Sequence, residues 1–183
     1  SYFITDGSNF DTCVQTFAAV DDVGPVLISC PADISVECAN LVPAQSLDGI
    51  DATDNCSGVI FLSLLAVVVS DSTCANRYVI TRTYVATDAC GNSTTCDQLI
   101  TVFDDTNPMF TFVPVDTSIL CDADTVFGVP LVTDNCGGVV TLDSVTNFFP
   151  TVTCAGGSIV RVWTATDACG NAATADQAIF LID

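Results

Sequence analysis

Aspartate, asparagine and cysteine stand together in two short motifs, and their side chains could bind a metal ion or form disulfides. The motif Thr-Asp-Asn-Cys at 53–56 returns at 133–136, and the motif Thr-Asp-Ala-Cys-Gly-Asn at 87–92 returns at 166–171. Carboxylate and amide oxygens are the hard ligands that calcium prefers. Eleven cysteines in a chain without histidine favour disulfides over a zinc site. The motifs therefore indicate calcium ligands, disulfides or both.

The motifs recur because the chain is a tandem repeat. Cys38 and Cys121 stand 83 residues apart, and Cys90 and Cys169 stand 79 residues apart, so the second copy is slightly shorter. A degenerate third copy opens the chain. Such self-similarity decides the architecture, and it predicts three parts: residues 1–22 as the C-terminal strands of a preceding or neighbouring unit, residues 23–105 as one domain, and residues 106–183 as a second.

The composition excludes several classes of function. The chain has no lysine or histidine, three arginines and a net charge of −19, so it lacks the cations that hold nucleic acid phosphates. The common general bases and the Schiff-base nucleophile are also missing. An aspartate pair could act as acid and base, but the same aspartates occur in each unit, which favours scaffolding over a single active site. We predict a protein without enzymatic activity.

The local pattern is that of short strands. Runs rich in β-branched residues, such as 78–86, 98–103 and 159–165, alternate with turn residues, and no helical stripe is sustained. About seven short strands in each unit predict an all-β chain of tandem immunoglobulin-like antiparallel sandwiches. Arg82 and Arg161 occupy the same position in both units, and we expect each to pair with a cross-strand aspartate. The longest apolar run, 59–69, is too short to span a bilayer.

The order of these motifs resembles a known extracellular module. Pro25, the run 30–36 (Cys-Pro-Ala-Asp-Ile-Ser-Val), the motif 52–58, the motif 84–92 with Cys96, and Asp-Asp followed by proline at 104–108 are similar to the hyalin repeat (HYR). The resemblance covers roughly the whole chain. It implies an immunoglobulin-like sandwich of the kind found in long extracellular adhesion proteins, bacterial surface adhesins among them. The cysteines at 56 and 90 depart from the common pattern, which has small residues there.

We expect calcium at two inter-domain junctions. In a sandwich, the linker before a unit meets the loops that carry the two motifs of that unit. This would gather carboxylates and amides whose repulsion a bound ion would cancel, as in cadherin-like linkers. The alternative is that these residues only form Asx-turns and cap loops. The predicted ligands are Asp21, Asp22, Asp54, Asp88 and Asn92 at one junction, and Asp104, Asp105, Asn107, Asp134, Asp167 and Asn171 at the other.

The cysteines predict a disulfide framework. Cys30 and Cys96 have Val113 and Ala175 at the equivalent positions of the second unit. Two cysteines lost together indicate one lost bridge, so we predict Cys30–Cys96, and both positions are cysteines in the hyalin pattern as well. The other cysteines allow several connectivities, among which we favour pairs within each unit. The predicted pairs are Cys38–Cys74, Cys56–Cys90, Cys121–Cys154 and Cys136–Cys169, and Cys13 is left for an upstream or intermolecular partner.

These features predict a secreted structural protein of the cell surface. The chain would be part of a fibrous adhesin or filament in which disulfide-sealed sandwiches stack end to end. Its partners would be neighbouring copies or repeats of itself and surface glycans. The chain is either a window on a long repeat protein or a subunit whose N-terminal segment inserts into a neighbour. The alternative function is a calcium-dependent module that binds a ligand or carbohydrate.

Overall fold

The alternation of apolar and polar residues produces strands throughout the chain. The computed structural model describes residues 2–56, 58–149 and 156–183, in which the single helical segment is a 3-10 turn, Ala39–Leu41. The strands are β1 Tyr2–Thr5, β2 Phe10–Cys13, β3 Val26–Ser29, β4 Ile34–Val36, β5 Asp51–Thr53, β6 Phe61–Cys74, β7 Arg77–Thr87, β8 Ser93–Phe103, β9 Met109–Phe112, β10 Thr117–Leu120, β11 Leu131–Thr133, β12 Thr141–Phe149, β13 Ser158–Thr166 and β14 Ala172–Ile182.

The two units, which we call the first unit (23–105) and the second unit (106–183), have the same topology. In the first unit a four-stranded sheet in the order β4-β8-β7-β6 accompanies a two-stranded sheet of β3 and β5. In the second unit the orders are β10-β14-β13-β12 and β9-β11. The pairing is antiparallel except that β4 runs parallel to β8, and β10 parallel to β14. The predicted all-β, immunoglobulin-like sandwich is confirmed for both units.

The core lies on one face of each large sheet. Along β7 every second residue from Ile80 to Ala86 is buried, which is the period of a strand with one covered face. Ile100 on β8 and its counterpart Ile179 on β14 are both 0% exposed. Of the apolar run 59–69, residues 61–69 belong to a single strand, β6, which continues through a bulge at Leu64–Ala66.

Polar side chains fix the parallel edge strand in both units. Asp33 accepts a hydrogen bond from the backbone N–H of Leu99 at 2.7 Å, and Gln98 donates to the carbonyl of Ala32 at 2.9 Å. The second unit repeats both contacts with Asp116 and Gln177. These bonds satisfy backbone groups at the edge that would otherwise face solvent or the core.

Arg82 is buried and the equivalent Arg161 is half-buried, but their partners differ from the expectation. Arg82, 6% exposed, donates to the carbonyl of Pro43 at 2.7 Å, so the predicted cross-strand aspartate is wrong for this residue. A backbone carbonyl can face the core without the desolvation cost of a buried carboxylate. Arg161 donates to Thr146 and stacks on the Phe127 ring at 4.2 Å.

The core can be tested with two isoleucines on β14. We expect Ile179→Ala to lower the free energy of unfolding of the second unit by about 2–5 kcal/mol, because it leaves a cavity at a fully buried site. Ile182→Ala on the same strand, where the side chain is 46% exposed, should cost under about 1 kcal/mol. Denaturant unfolding followed by Trp163 fluorescence measures both, and equal losses would contradict the assigned core.

Candidate functional site

The loop between β7 and β8 is built around Asp88. Its Oδ1 accepts hydrogen bonds from the backbone N–H groups of Cys90 and Asn92, at 2.8 and 2.9 Å, and its Oδ2 accepts one from the side chain of Asn92 at 2.8 Å. Gly91 between them has φ +93°, which favours glycine. The side-chain amide of Asn92 also donates a hydrogen bond to the carbonyl of Asp21, at 3.1 Å. The motif therefore closes a loop and holds the incoming linker.

The second unit repeats this arrangement. Asp167 accepts bonds from the backbone of Cys169 and Asn171 and from the side chain of Asn171, and Asn171 in turn donates to the carbonyl of Asp104 at 3.2 Å. We call this end of a unit, where the linker arrives at the two motif loops, its entry end. The opposite end, which carries Cys38 and Cys74 in the first unit, is its exit end.

The linker residue Asp104 is held from both units. Its N–H donates to the carbonyl of Asn76 at the exit end of the first unit, at 3.0 Å. Its carbonyl accepts from Arg77 at 2.7 Å as well as from Asn171. Arg77 also donates to the carbonyl of Cys169 at 3.1 Å, so one guanidinium joins the two units directly.

Two disulfides cross this junction. Cys38 is bonded to Cys136 and Cys74 to Cys169, with Cα–Cα distances of 5.1 and 5.2 Å. The predicted Cys30–Cys96 bond is present within the first unit. The pairs predicted as Cys38–Cys74 and Cys136–Cys169 are wrong. The exit end of one unit abuts the entry end of the next, so each cysteine lies closest to a cysteine of the other unit.

The remaining cysteines differ in state. Cys56 and Cys90 are exposed free thiols, so the predicted bond between them is not formed. Cys121 is disulfide-bonded, but its predicted partner Cys154 lies outside the described residues. The partner predicted for Cys13 concerns a side chain that also lies outside the described part.

Each entry end also brings two aspartates together. Ligand atoms of Asp104, Asp134 and Cys136 lie within 4.8 Å of one another, as do those of Asp21, Asp54 and Cys56. In both clusters the motif aspartate has one buried oxygen without a hydrogen-bond partner, Oδ1 of Asp134 and Oδ2 of Asp54. Unpartnered buried carboxylate oxygens are what a cation would satisfy. Cys136 is in a disulfide and offers no thiolate, so the ligands in its cluster would be the carboxylates of Asp104 and Asp134.

Burial and hydrogen bonding shift two of the carboxyl pKa values in opposite directions. Desolvation raises the pKa of Asp104, which is 1% exposed, and the nearby Asp134, Asp167 and Glu37 raise it further. The hydrogen bond from the Asn92 side chain lowers the pKa of Asp88. The negative charge is therefore favoured inside the loop at Asp88 and disfavoured at the junction at Asp104.

The other predicted ligands are not members of these two clusters. Asp22, Asp105 and Asn107 are exposed, and Asn107 borders a shallow groove with Asp134 and Asn135. Asp88 and Asp167 stand near the clusters, but both of their oxygens already accept hydrogen bonds from the loop. Metal binding by these residues stays a prediction.

Two junction residues escape the sequence analysis. Glu37 accepts hydrogen bonds from Asn135 at 3.1 Å and from Thr106 at 3.3 Å, and Arg77 makes the contacts given above. Neither has a counterpart in the second unit, where Leu120 and Gly156 occupy the equivalent positions. The signal was their rarity, since Glu37 is the single glutamate and Arg77 is the single arginine that does not repeat.

Comparison with known proteins decides the family. The profile described as "HYR-like domain with 4 cysteines" matches residues 27–102 and again 111–180. The chain belongs to this family of HYR-like domains. The two matches place one HYR-like domain in each unit, and the resemblance to hyalin repeats is confirmed. No curated protein matches the sequence.

Cadherin ectodomains are among the solved structures that match this chain. The protocadherin GammaB4 extracellular domain has a TM-score of 0.38 at 13% identity, over 90% of this chain and 35% of that one. Drosophila N-cadherin EC1-4 has a TM-score of 0.38 at 13% identity, over 88% and 50%. Human mucin-like protocadherin EC1-2 has a TM-score of 0.33 at 13% identity, over 86% and 98%. The chain thus spans about a third to a half of the first two, and the low TM-scores carry no functional argument.

The inter-unit disulfides can be tested by non-reducing peptide mapping. Cleavage before aspartate puts Cys38, Cys74, Cys136 and Cys169 into peptides 33–47, 71–87, 134–142 and 167–175, respectively. We expect mass spectrometry to find 33–47 linked to 134–142, and 71–87 linked to 167–175, in alkylated, unreduced protein. Links between 33–47 and 71–87 would instead mean that the bonds close within a unit.

Proposed function

We propose that this chain is a non-enzymatic segment of an extracellular adhesion array, whose HYR-like domains are joined end to end into a covalently locked rod. The observation that carries the proposal is the pair of disulfides across the junction, Cys38–Cys136 and Cys74–Cys169. Disulfides persist in oxidising, extracellular compartments. None of the described residues forms a helix that is long and apolar enough to cross a membrane.

The proposed mechanism is mechanical. A single linker of a few residues would leave two domains free to move, because contacts between domains are usually small and polar. Here the linker main chain, Arg77 and two covalent bonds act at the same junction. Force applied along the array would pass from one sandwich to the next through these bonds, so the rod would keep its length and direction under load.

Calcium is the second element of the proposal. The pairs Asp104–Asp134 and Asp21–Asp54, each with one buried oxygen that has no hydrogen-bond partner, suit a hard cation. When bound, the ion would supply positive charge that offsets the repulsion between the two carboxylates. Two carboxylates are fewer oxygens than calcium takes, so backbone carbonyls and water would complete the shell. The expected site is therefore of modest affinity and acts on junction stability.

The rigidity of the junction can be tested by NMR relaxation. The expected result is that the native chain tumbles as one body, whereas a variant with serine at Cys38, Cys74, Cys136 and Cys169 gives each unit a shorter rotational correlation time. Cys30→Ser with Cys96→Ser is the matched control, because it removes a disulfide within a unit and should leave joint tumbling intact. Independent tumbling of the units in the native chain would refute the locked rod.

The calcium site can be tested by thermal unfolding with and without calcium or a chelator. Calcium at 100 times its Kd should stabilise the native chain by about 2.7 kcal/mol for each site that binds it. Asp134→Asn should reduce this gain, since asparagine can keep the loop hydrogen bond to Cys136 without the charge. Asp143→Asn, at an exposed position on β12, is the control.

An equal gain in both variants, or none in the native chain, would remove calcium from the proposal and leave the disulfide-locked rod standing. Glycan-array binding that needs calcium would instead support the alternative function, a calcium-dependent module that binds carbohydrate.

A further inference from the structure

The entry end of the first unit has the same construction as the entry end of the second. The N–H of Cys56 donates to Asp54 at 2.9 Å, as the N–H of Cys136 donates to Asp134 at 2.9 Å. The N–H groups of Cys90 and Cys169 each donate to their loop aspartate at 2.8 Å. The cysteines of one entry end are both bonded to a preceding unit, whereas those of the other are free.

The linkers that reach the two entry ends are also equivalent. Asn92 holds the carbonyl of Asp21 at 3.1 Å, and Asn171 holds the carbonyl of Asp104 at 3.2 Å. The chain that arrives at residue 22 therefore approaches Cys56 and Cys90 along the same path by which residues 103–105 approach Cys136 and Cys169.

Residues 2–21 have the form of the end of a preceding unit. In the hairpin of β1 and β2, Tyr2 pairs with Cys13 and Thr5 with Phe10. In the first unit, Tyr84 pairs with Cys96 and Thr87 with Ser93, which is the same register. Asp6 closes the short loop by accepting from the backbone and side chain of Asn9, as Asp88 does from Asn92. Cys13 precedes Asp21 by eight residues, and Cys96 precedes Asp104 by eight.

We infer that Cys56 and Cys90 form disulfides with a preceding HYR-like unit of the same polypeptide, at its cysteines equivalent to Cys38 and Cys74. This inference rests on the proposed function and extends it, because the junction before the first unit would then carry the same two bonds as the junction after it. The two free thiols are attachment points for the unit whose last hairpin is residues 2–13, rather than spare or reactive cysteines.

The bond formation is an oxidation, and its balance is simple. For each bond, the thiol of Cys56 or Cys90 and one thiol of the preceding unit lose two protons and two electrons and form a sulfur–sulfur bond. A small disulfide, such as oxidised glutathione, accepts the electrons and becomes two thiols by exchange. Closure of the junction contacts brings each pair of sulfurs together before the exchange.

A second copy of the chain is a poorer partner for this entry end. Its second unit would offer Cys121, which is already disulfide-bonded. It also has Leu120 and Gly156 where the first unit presents Glu37 and Arg77, the residues that contact Asn135 and Cys169 at the observed junction. The side chain of Asn55, the counterpart of Asn135, contacts only the sulfur of its neighbour Cys56 among the contacts of the described residues.

A three-unit chain tests the inference. Residues 23–105 are placed ahead of residues 23–183, so that Asp104 and Asp105 of the added copy replace Asp21 and Asp22. Cys56→Ser and Cys90→Ser in the added copy remove its own entry-end thiols, so that the Cys56 and Cys90 that remain are those of the middle unit. After refolding with reduced and oxidised glutathione, we expect peptide 33–47 linked to 54–70, and peptide 71–87 linked to 88–96, which also carries the Cys30 peptide through the Cys30–Cys96 bond. Cys56 and Cys90 should no longer react with maleimide, whereas in the 183-residue chain both should react.

The matched control changes Cys38 and Cys74 of the added copy to serine, which should restore both reactive thiols. A bond between Cys56 and Cys90, thiols that stay reactive in the three-unit chain, or links between chains through Cys121 would each overturn the inference. The link between 33–47 and 134–142 in the same map separates the two claims. If that link is present and the new ones are absent, the inference fails while the proposed junction stands.

Discussion

The junction depends on the main chain of a single linker residue, Asp104. Its N–H is bound by the first unit through Asn76, and its carbonyl accepts from Arg77 of the first unit and Asn171 of the second. A residue held at both of its backbone groups has little freedom in φ and ψ, so the direction in which the second unit starts is set there. The disulfides and the side-chain contacts of Glu37 join the two units at this same junction. The repeated loop thus binds the linker through its asparagine, which is held by the aspartate four residues before it. These hydrogen bonds explain why aspartate and asparagine stand four residues apart.

The two inter-unit disulfides convert neighbouring small domains into one covalent body. Each unit has a thin core of strands, with many apolar side chains such as Val67, Val68 and Phe148 still exposed, so burial alone leaves small domains marginally stable. The bonds close loops of 98 and 95 residues, longer than the 66 residues closed by Cys30–Cys96. In the chain-entropy account, closing such loops disfavours the unfolded ensemble by roughly 4–5 kcal/mol each. The covalent framework therefore makes the stability of one domain depend on that of its neighbour.

The sequence alone predicts the strands, the sandwich and one disulfide, and it fails on the remaining pairings for an identifiable reason. Cys30 and Cys96 could be paired because both are lost in the second unit. Cys38, Cys56, Cys74 and Cys90 all recur, and a strict repeat looks the same whether a bond closes within a unit or onto the next one. The decisive clue is spatial: the Cys38 and Cys74 segments lie at one end of a sandwich, and the motif loops that meet the linker lie at the other. End-to-end stacking brings these two ends together. Glu37 and Arg77 could not be assigned to the junction from the repeat, because neither of them recurs in the second unit.

The carboxylates at the junction destabilise it when they are ionised. Asp104 is almost fully buried beside Asp134, Asp167 and Glu37, and its pKa is raised accordingly. A carboxyl whose pKa is higher in the folded state than in the unfolded chain stabilises the fold at low pH and loses that contribution as pH rises through the folded value. Near neutral pH these acidic side chains therefore destabilise the junction, whereas the hydrogen-bonded main chain of Asp104, the Arg77 side chain and the two disulfides stabilise it. A junction held by bonds of this strength tolerates like charges that would separate two domains joined only by a flexible linker. The same charges are what a cation would neutralise, so a bound cation would act at the junction that the two disulfides already hold.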